Sequence, residues 1–277
     1  MTISLATSSG SSAPTPAELT IYCLNGFQVR RGTNPILPRN WNRKKTAQLF
    51  KYLLVAEQPV PVNTLLEEFW PDLKEKAARH NLAVTLYNLR RTLEPERVRG
   101  AGSHFVVSLG DYIQLNWDRV AYYDVEKFLR ERREGLNFLA QGMLRQAACA
   151  FAAAFDVYKT DFLTDTIEPW AAAKRQRLQT AYLDLLEHLT DTLIKLERHS
   201  QAFEYAGHLI QLDPCNEEGH RMLMEILMAL GHRSQAIAQY HHCRDILKRE
   251  RGISPGPLTE ELYRRIASGE SRQGSLR

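Results

Sequence analysis

Residues 75–93 read EKAARHNLAVTLYNLRRTL, a regular helical pattern. On a helical wheel with about 100° per residue, its leucines fall within one narrow arc, which predicts a helix packed against a core. The opposite arc carries His80, Val84, Tyr87, Asn88 and Arg91. Taken alone, these residue types favour a solvated helix face over a face that contacts another molecule.

The sequence before this helix predicts a small sheet and two further helices. Alternating residues over 18–31, interrupted by an Asn-Gly turn, predict a β-hairpin, and a short third strand is expected near 35–37. Apolar residues recur at helical spacing in WNRKKTAQLFKYLLVA, which predicts a helix with a basic first turn. A shorter helix is predicted after a proline-bounded loop at 58–61, with Asn63 as its N-cap.

A β-hairpin is predicted after the helix at 75–93. The segment HFVVSLGDYIQL predicts strands over 104–109 and 112–115, joined by a Gly-Asp turn. Three helices followed by such a hairpin form a recurrent DNA-docking unit, in which the last helix enters the major groove and the hairpin, or wing, touches the backbone. This context favours DNA contact over a merely solvated face.

Two short motifs resemble a known DNA-binding class. The residues LRRTL at 89–93 and GDYIQL at 110–115 resemble the recognition-helix end and the wing end of the OmpR/PhoB winged-helix class. The resemblance implies that the helix at 75–93 is the recognition helix. This sequence departs from the class in one place, because Asp111 is inserted between the glycine and the tyrosine of the wing.

The chemistry of the exposed arc suits a major groove. Arginine can fork onto O6 and N7 of guanine, asparagine can pair with N6 and N7 of adenine, and an apolar group can meet the thymine methyl. The predicted base-reading residues are His80, Asn81, Val84, Asn88 and Arg91. The predicted phosphate-binding residues are Arg43, Lys44, Lys45, Arg79, Arg99 and Gly110.

The excess positive charge lies in this first part of the chain. Residues 19–117 contain 14 Lys and Arg against 8 Asp and Glu, a net +6, whereas residues 118–277 contain 22 against 23, a net −1. Such a surplus is expected of a part that faces polyphosphate, although it also occurs in domains with other functions.

The rest of the chain is helical in pattern and contains an internal repeat. SQAFEYAGHLIQLDP from Ser200 and SQAIAQYHHCRDILK from Ser234 align at an offset of 34 residues. This is the tetratricopeptide period, in which stacked helix pairs bury a common core. WAAAKRQRL from Trp170 and the closing GISPGPLTEELYRRI resemble the bacterial transcriptional activator domain, over about 120–268. The two domains together resemble the Streptomyces antibiotic regulatory protein (SARP) family.

The predicted fold is therefore mainly α with a small β component. A winged helix-turn-helix domain precedes an all-α, tetratricopeptide-like repeat domain. The predicted segments are a disordered arm at 1–17, the winged helix at 18–117, the activator domain at 120–268 and a disordered tail at 269–277.

Several classes of protein are not expected. No apolar run approaches the roughly 20 residues of a membrane span, and the N-terminus lacks the pattern of a secretory signal, so a cytoplasmic protein is expected. The four cysteines are scattered, which argues against a disulfide framework or a structural zinc site. No GxxxxGK[ST], GxSxG or HExxH motif occurs, so we expect no enzyme, no catalytic residue, no cofactor and no metal.

The expected function is that of a sequence-specific DNA-binding transcription regulator. The resemblance implies an activator that binds tandem repeats near a promoter and recruits RNA polymerase, with double-stranded DNA and RNA polymerase as partners and a homodimer as a further possibility; no membrane contact is expected. The alternative is a tetratricopeptide-like scaffold or adaptor whose winged helix makes only protein contacts.

Overall fold

The computed structural model describes residues 18–41, 43–98 and 100–269, and the chain divides into two compact units. The first unit contains the described residues up to Tyr22 together with Phe27–Tyr123. The second contains Cys23–Gly26 and the chain from Asp124 onward. The protein is mainly α with a small β component, as the sequence predicts. The arm at 1–17 and residues 270–277 of the tail lie outside the described residues.

The first unit is a winged helix-turn-helix domain with two small sheets. Its helices are α1 (Lys44–Ala56), α2 (Val62–Phe69) and α3 (Glu75–Leu93). Its strands are β1 (Leu19–Tyr22), β2 (Gln28–Arg31), β3 (Asn34–Ile36), β4 (Val60–Pro61), β5 (Val106–Leu109), β6 (Tyr112–Leu115) and β7 (Val120–Tyr123). One sheet has the order β3-β2-β1-β7, with β7 parallel to β1, and the other has the order β4-β6-β5.

The start of α2 differs from the prediction. Pro61 occupies the N-cap position, so Asn63 lies inside the first turn and is not the cap. Strand β4 runs directly into α2, and the Val62 N–H donates to the carbonyl oxygen of Asp111 at 2.8 Å. A capping side chain is therefore replaced by a backbone bond from the wing. The Asn63 side chain instead accepts a hydrogen bond from Arg79 at 3.1 Å.

The core of the first unit is built from the apolar faces of α1 and α3. Leu49, Phe50, Leu53 and Leu54 of α1 and Leu82, Leu86, Leu89 and Leu93 of α3 are buried, as their helical spacing predicts. Trp41 packs against both Phe27 and Phe50, with ring centroids 5.4 Å apart in each pair. This core fixes the orientation of α3, because its leucines can be buried in only one rotation of the helix.

The second unit is an all-α repeat domain. Its helices are α4 (Asp124–Ala140), α5 (Leu144–Val157), α6 (Pro169–Lys195), α7 (His199–Leu212), α8 (Glu217–Ala229), α9 (Arg233–Arg251) and α10 (Pro257–Ser268). Helices α7 and α9 begin 34 residues apart, which matches the repeat seen in the sequence. Close approach of α4 and α5 requires Gly135, since a Cβ there would overlap the Phe151 ring. No helix of the described chain combines the length and apolarity required to cross a membrane.

Asp124 anchors the segment Cys23–Gly26 within the second unit. Its Oδ2 atom accepts hydrogen bonds from the backbone N–H groups of Cys23 and Leu24, each at 2.7 Å. The Leu24 carbonyl oxygen accepts bonds from the N–H groups of Lys159 and Thr160. The carboxyl group is 1% exposed, and this burial raises its pKa from 3.8 to about 6.

Candidate nucleic-acid interface

Helix α3 has one buried face and one exposed face. Its buried positions cover one side of the helix: Ala78, Leu82, Thr85, Leu86, Leu89 and Leu93. With about 100° per residue, the five predicted base-reading residues lie on the opposite side, within an arc of about 100°. Thr85 is buried, and its hydroxyl donates to the Asn81 carbonyl oxygen at 2.8 Å.

The predicted base-reading side chains differ in exposure. His80 and Arg91 are exposed, whereas Asn81, Val84 and Asn88 are half-buried. The polar side chains of this set form no hydrogen bond or ion pair with any other described residue, so their donors and acceptors are available to a ligand. Tyr87, which the sequence placed on the same arc but not among the base readers, is 52% exposed.

Two of the predicted phosphate-binding residues lie at the N-terminus of α1. Arg43 is the N-cap residue and Lys44 opens the helix, and both are exposed. No side chain caps this end, and the first turn contains no acidic residue. A helix N-terminus carries a partial positive charge and unpaired N–H groups, which favour an anion. Two cationic side chains at such an end are therefore electrostatically unfavourable until an anion is bound.

Lys45 and Arg79 make contacts within the protein. The Lys45 ammonium donates to the Phe69 carbonyl oxygen at the end of α2 and lies 4.8 Å from the centre of the Trp70 ring. Arg79 donates to Glu75 at 2.8 Å and to Asn63 at 3.1 Å. Lys45 thereby links α1 to the end of α2, and Arg79 links α3 to α2. Of the predicted basic contacts that the structure describes, Arg43 and Lys44 have the fewest competing partners.

The remaining two predicted phosphate contacts are Arg99 and Gly110. Arg99 lies outside the described residues. Gly110 is at the exposed turn of the wing with φ +58°, a left-handed conformation that glycine adopts without strain. A Cβ at this position would meet no atom within 4 Å, so the conformation alone requires glycine here.

The recognition helix holds the wing through two charged side chains. Arg90 donates from Nε to the Val106 carbonyl oxygen at 3.0 Å and from Nη2 to the Ser108 hydroxyl at 2.6 Å. Burial lowers the pKa of this guanidinium. One turn later, Glu94 Oε1 accepts bonds from three groups at the start of the wing: Ser103 Oγ, His104 N and Phe105 N, at 2.6, 2.9 and 3.1 Å. The sequence pattern assigns neither residue a role.

The wing itself carries an apolar tip. Leu109 and Tyr112 are directly opposite each other across the turn and are 56% and 47% exposed. Strand β5 begins at Val106, two residues later than predicted, and the backbone N–H groups of residues 104 and 105 donate to Glu94. Residues 103–116 contain no lysine or arginine.

The second unit has a cleft of about 490 Å³ beside the end of α5. The rings of Tyr158 and Tyr182 stack within it, with centroids 4.1 Å apart. The Asp161 carboxylate accepts from the Tyr158 hydroxyl at 3.0 Å and from the Gln179 amide at 2.7 Å. Burial raises the pKa of Tyr158 and lowers that of His208, another lining residue, so both groups are neutral at pH 7. Across the described chain, no three His, Cys, Asp or Glu side chains come together as metal ligands.

Comparison with known proteins identifies relatives of this chain. The family described as Bacterial transcriptional activator domain matches residues 123–267, which is more than half of the chain. Transcriptional regulatory protein MoaR1 of Mycobacterium tuberculosis is 26% identical over 225 residues, covering 80% of this chain and 71% of that protein. Regulatory protein DnrI of Streptomyces peucetius is 27% identical over 232 residues, covering 80% and 84%. These matches confirm the predicted resemblance to SARP-type regulators.

A solved structure shares the fold of both units. The structure of Mycobacterium tuberculosis EmbR in complex with a low affinity phosphopeptide matches with a TM-score of 0.77 at 20% sequence identity. The match covers 93% of this chain and 67% of that chain. At this level of identity the likeness concerns the fold, and it confirms the predicted winged helix followed by helical repeats.

Proposed function

Because this chain belongs to the bacterial transcriptional activator domain family, we propose that it is a sequence-specific DNA-binding transcription regulator that activates promoters. The observation that carries this proposal is the division of α3 into a buried leucine face and an exposed face with unpaired polar side chains. Asn88 and Arg91 are the main base readers, because an amide and a guanidinium can each make two hydrogen bonds to one base. His80, Asn81 and Val84 complete the contact.

Phosphate contacts position the helix in the groove. The uncapped N-terminus of α1, with Arg43 and Lys44, offers N–H groups and cationic side chains to one stretch of the DNA backbone. Arg79, Arg99 and the backbone of Gly110 remain candidates for weaker contacts, and Lys45 contributes mainly by holding α2. Each phosphate neutralised by a cation releases counterions, so affinity falls steeply as salt concentration rises.

The helical-repeat unit supplies protein contacts. Its partners are RNA polymerase and a second copy of this chain, and the protein acts on promoter DNA in the cytoplasm without a membrane contact. No enzymatic step is part of this function, which consists of binding DNA and recruiting protein. Two observations support this assignment of DNA binding to the first unit and protein binding to the second. The chain divides into a winged-helix unit and a repeat unit, and its relatives are named as regulatory proteins.

The proposal is tested by measuring binding to genomic fragments, including the region upstream of the protein's own gene, at two salt concentrations. Wild type is compared with N88A/R91A and with K76A, a matched control that removes an exposed charge from another side of α3. The proposal predicts site-selective, salt-sensitive binding that the double variant loses and K76A keeps. Fragments bound equally well by wild type and the folded double variant would overturn the assignment of the base readers.

The scaffold alternative makes a different prediction. A scaffold would bind a peptide, for which the cleft lined by Tyr158 and His208 is a candidate, and its winged helix would contact protein alone. It would show no selective DNA binding at any salt concentration, and it would keep all of its partners in N88A/R91A. The exposed, unpaired polar face of α3 favours the regulator over this alternative.

A further inference from the structure

We infer that Arg90 and Glu94 are positioning residues that hold the wing in a fixed place beside the recognition helix, and that the wing contacts DNA through the apolar side chains Leu109 and Tyr112 at its tip. This inference rests on the proposed DNA binding and adds to it a role for two residues that the exposed face of α3 does not include. It makes helix and wing one rigid reading element rather than a helix followed by an independent hairpin.

The hydrogen bonds of the two side chains account for this role. Arg90 uses both its Nε and Nη2 donors on the first strand of the wing, at Val106 and Ser108. Glu94 is 7% exposed, and one of its oxygens accepts all three bonds from the segment that enters the wing. Hydrogen bonds to charged groups are stronger than neutral ones, and five such bonds join the C-terminal end of α3 to the first strand of the wing and to the segment that enters it.

The chain between helix and wing does not position the wing by itself. Residues 94–105 form an irregular connection that contains no helix or strand among its described residues. Irregular segments of this kind are more mobile than the elements they join. The wing is therefore held by the two charged residues on the helix side, by pairing with β4 on the other side, and by burial of Val106, Ile113 and Leu115 in the core.

The tip that is held in this way differs from a basic wing. Leu109 and Tyr112 flank a turn that contains the exposed Asp111, and residues 103–116 contain no lysine or arginine. Such a tip has no side chain for a phosphate, whereas apolar side chains are used by other proteins to enter the minor groove. The contact we infer is therefore apolar, made to the groove beside the base pairs that α3 reads.

The first arm of the test needs no DNA. Hydrogen exchange is measured on the full-length wild type, R90M and R91M, where Met keeps an apolar stem and removes the guanidinium. Loss of charge-assisted bonds should speed exchange at residues 106–115 by about tenfold or more in R90M. R91M is the matched control, because Arg91 is exposed and unpaired, and its wing should exchange as in wild type. Equal wing exchange in R90M and wild type would overturn the positioning role, whatever the DNA result.

The second arm measures DNA affinity against salt, together with the footprint on a selected site. R90M and the tip variant L109S/Y112S should each weaken binding about tenfold or more and lose protection at the same edge of the site. Neither should change the slope of log affinity against log salt, whereas K44M should reduce it by about 0.9. Arg90→Lys, which keeps one donor for the Val106 carbonyl, should recover part of the affinity.

Each remaining outcome is decisive. A slope reduced by about 0.9 in R90M would make Arg90 a direct phosphate ligand and refute the positioning role. Unchanged affinity and footprint in the tip variant would refute the apolar wing contact. If wild type binds no site selectively while the exchange result holds, the proposed DNA-binding function fails. Arg90 and Glu94 would then only stabilise the fold, and their inferred role in DNA reading would be refuted as well.

Discussion

Asp124→Asn should change how the stability of the second unit depends on pH. The wild-type carboxyl group has a pKa raised by burial from 3.8 to about 6, so the folded state holds its proton more tightly than the unfolded state. Between about pH 4 and pH 6 the folded state therefore binds more protons, and stability falls as pH rises through this window. At about 1.36 kcal/mol per pH unit, the total loss is about 3 kcal/mol.

The assay is urea unfolding of wild type and D124N from about pH 4.5 to about pH 7.5, followed by a probe in the second unit. Asparagine keeps an acceptor for the Cys23 and Leu24 N–H groups but does not titrate. The free energy of unfolding of wild type minus that of D124N should fall by about 2 kcal/mol across this pH range and level off above about pH 7. A difference that is constant, or that rises with pH, would refute the reasoning, because the two backbone bonds would then outweigh desolvation.

Two further predictions concern packing and phosphate binding. Gly135→Ala should destabilise the second unit by about 1–3 kcal/mol, because the new Cβ overlaps the Phe151 ring. Gly207→Ala, which has open space around it, should be neutral or stabilising. Thermal unfolding measures both variants, and equal effects would contradict the packing argument. Lys44→Met should reduce the slope of log DNA affinity against log salt concentration by about 0.9. Lys45→Met should mainly lower the free energy of unfolding, because Lys45 contacts Phe69 and Trp70. The reverse pattern would exchange the roles of the two lysines.

Local patterns in the sequence predict the helices well. Leucine spacing defined both the bounds and the buried face of α3, because 19 residues of consistent periodicity leave one rotation that buries them. The offset of 34 residues predicted the paired starts of α7 and α9. The sequence missed β4 and β7. Strand β4 has two residues and contains a proline, and β7 pairs in parallel with a strand about 100 positions earlier, so neither has a local signature.

The sequence predicted which side chains of α3 are exposed, but it did not predict the contacts between side chains that are distant in the chain. The arc with Asn88 and Arg91 follows from the wheel, but the partners of Arg90 and Glu94 lie 9 to 18 residues away across an irregular loop. The Lys45 contact with Phe69 spans 24 residues. Basic residues that brace the fold and basic residues that remain available for phosphate look alike in a sequence, and only tertiary contacts distinguish them.

The central claim is that the exposed face of α3 reads base pairs. The most direct test is the ratio of specific to non-specific DNA affinity, measured for wild type and N88A/R91A at one salt concentration. A good base contact contributes about 1–3 kcal/mol of discrimination, so loss of two should lower the ratio by at least tenfold while non-specific binding changes much less. An unchanged ratio in a folded double variant, or an equal loss of both affinities, would contradict the account.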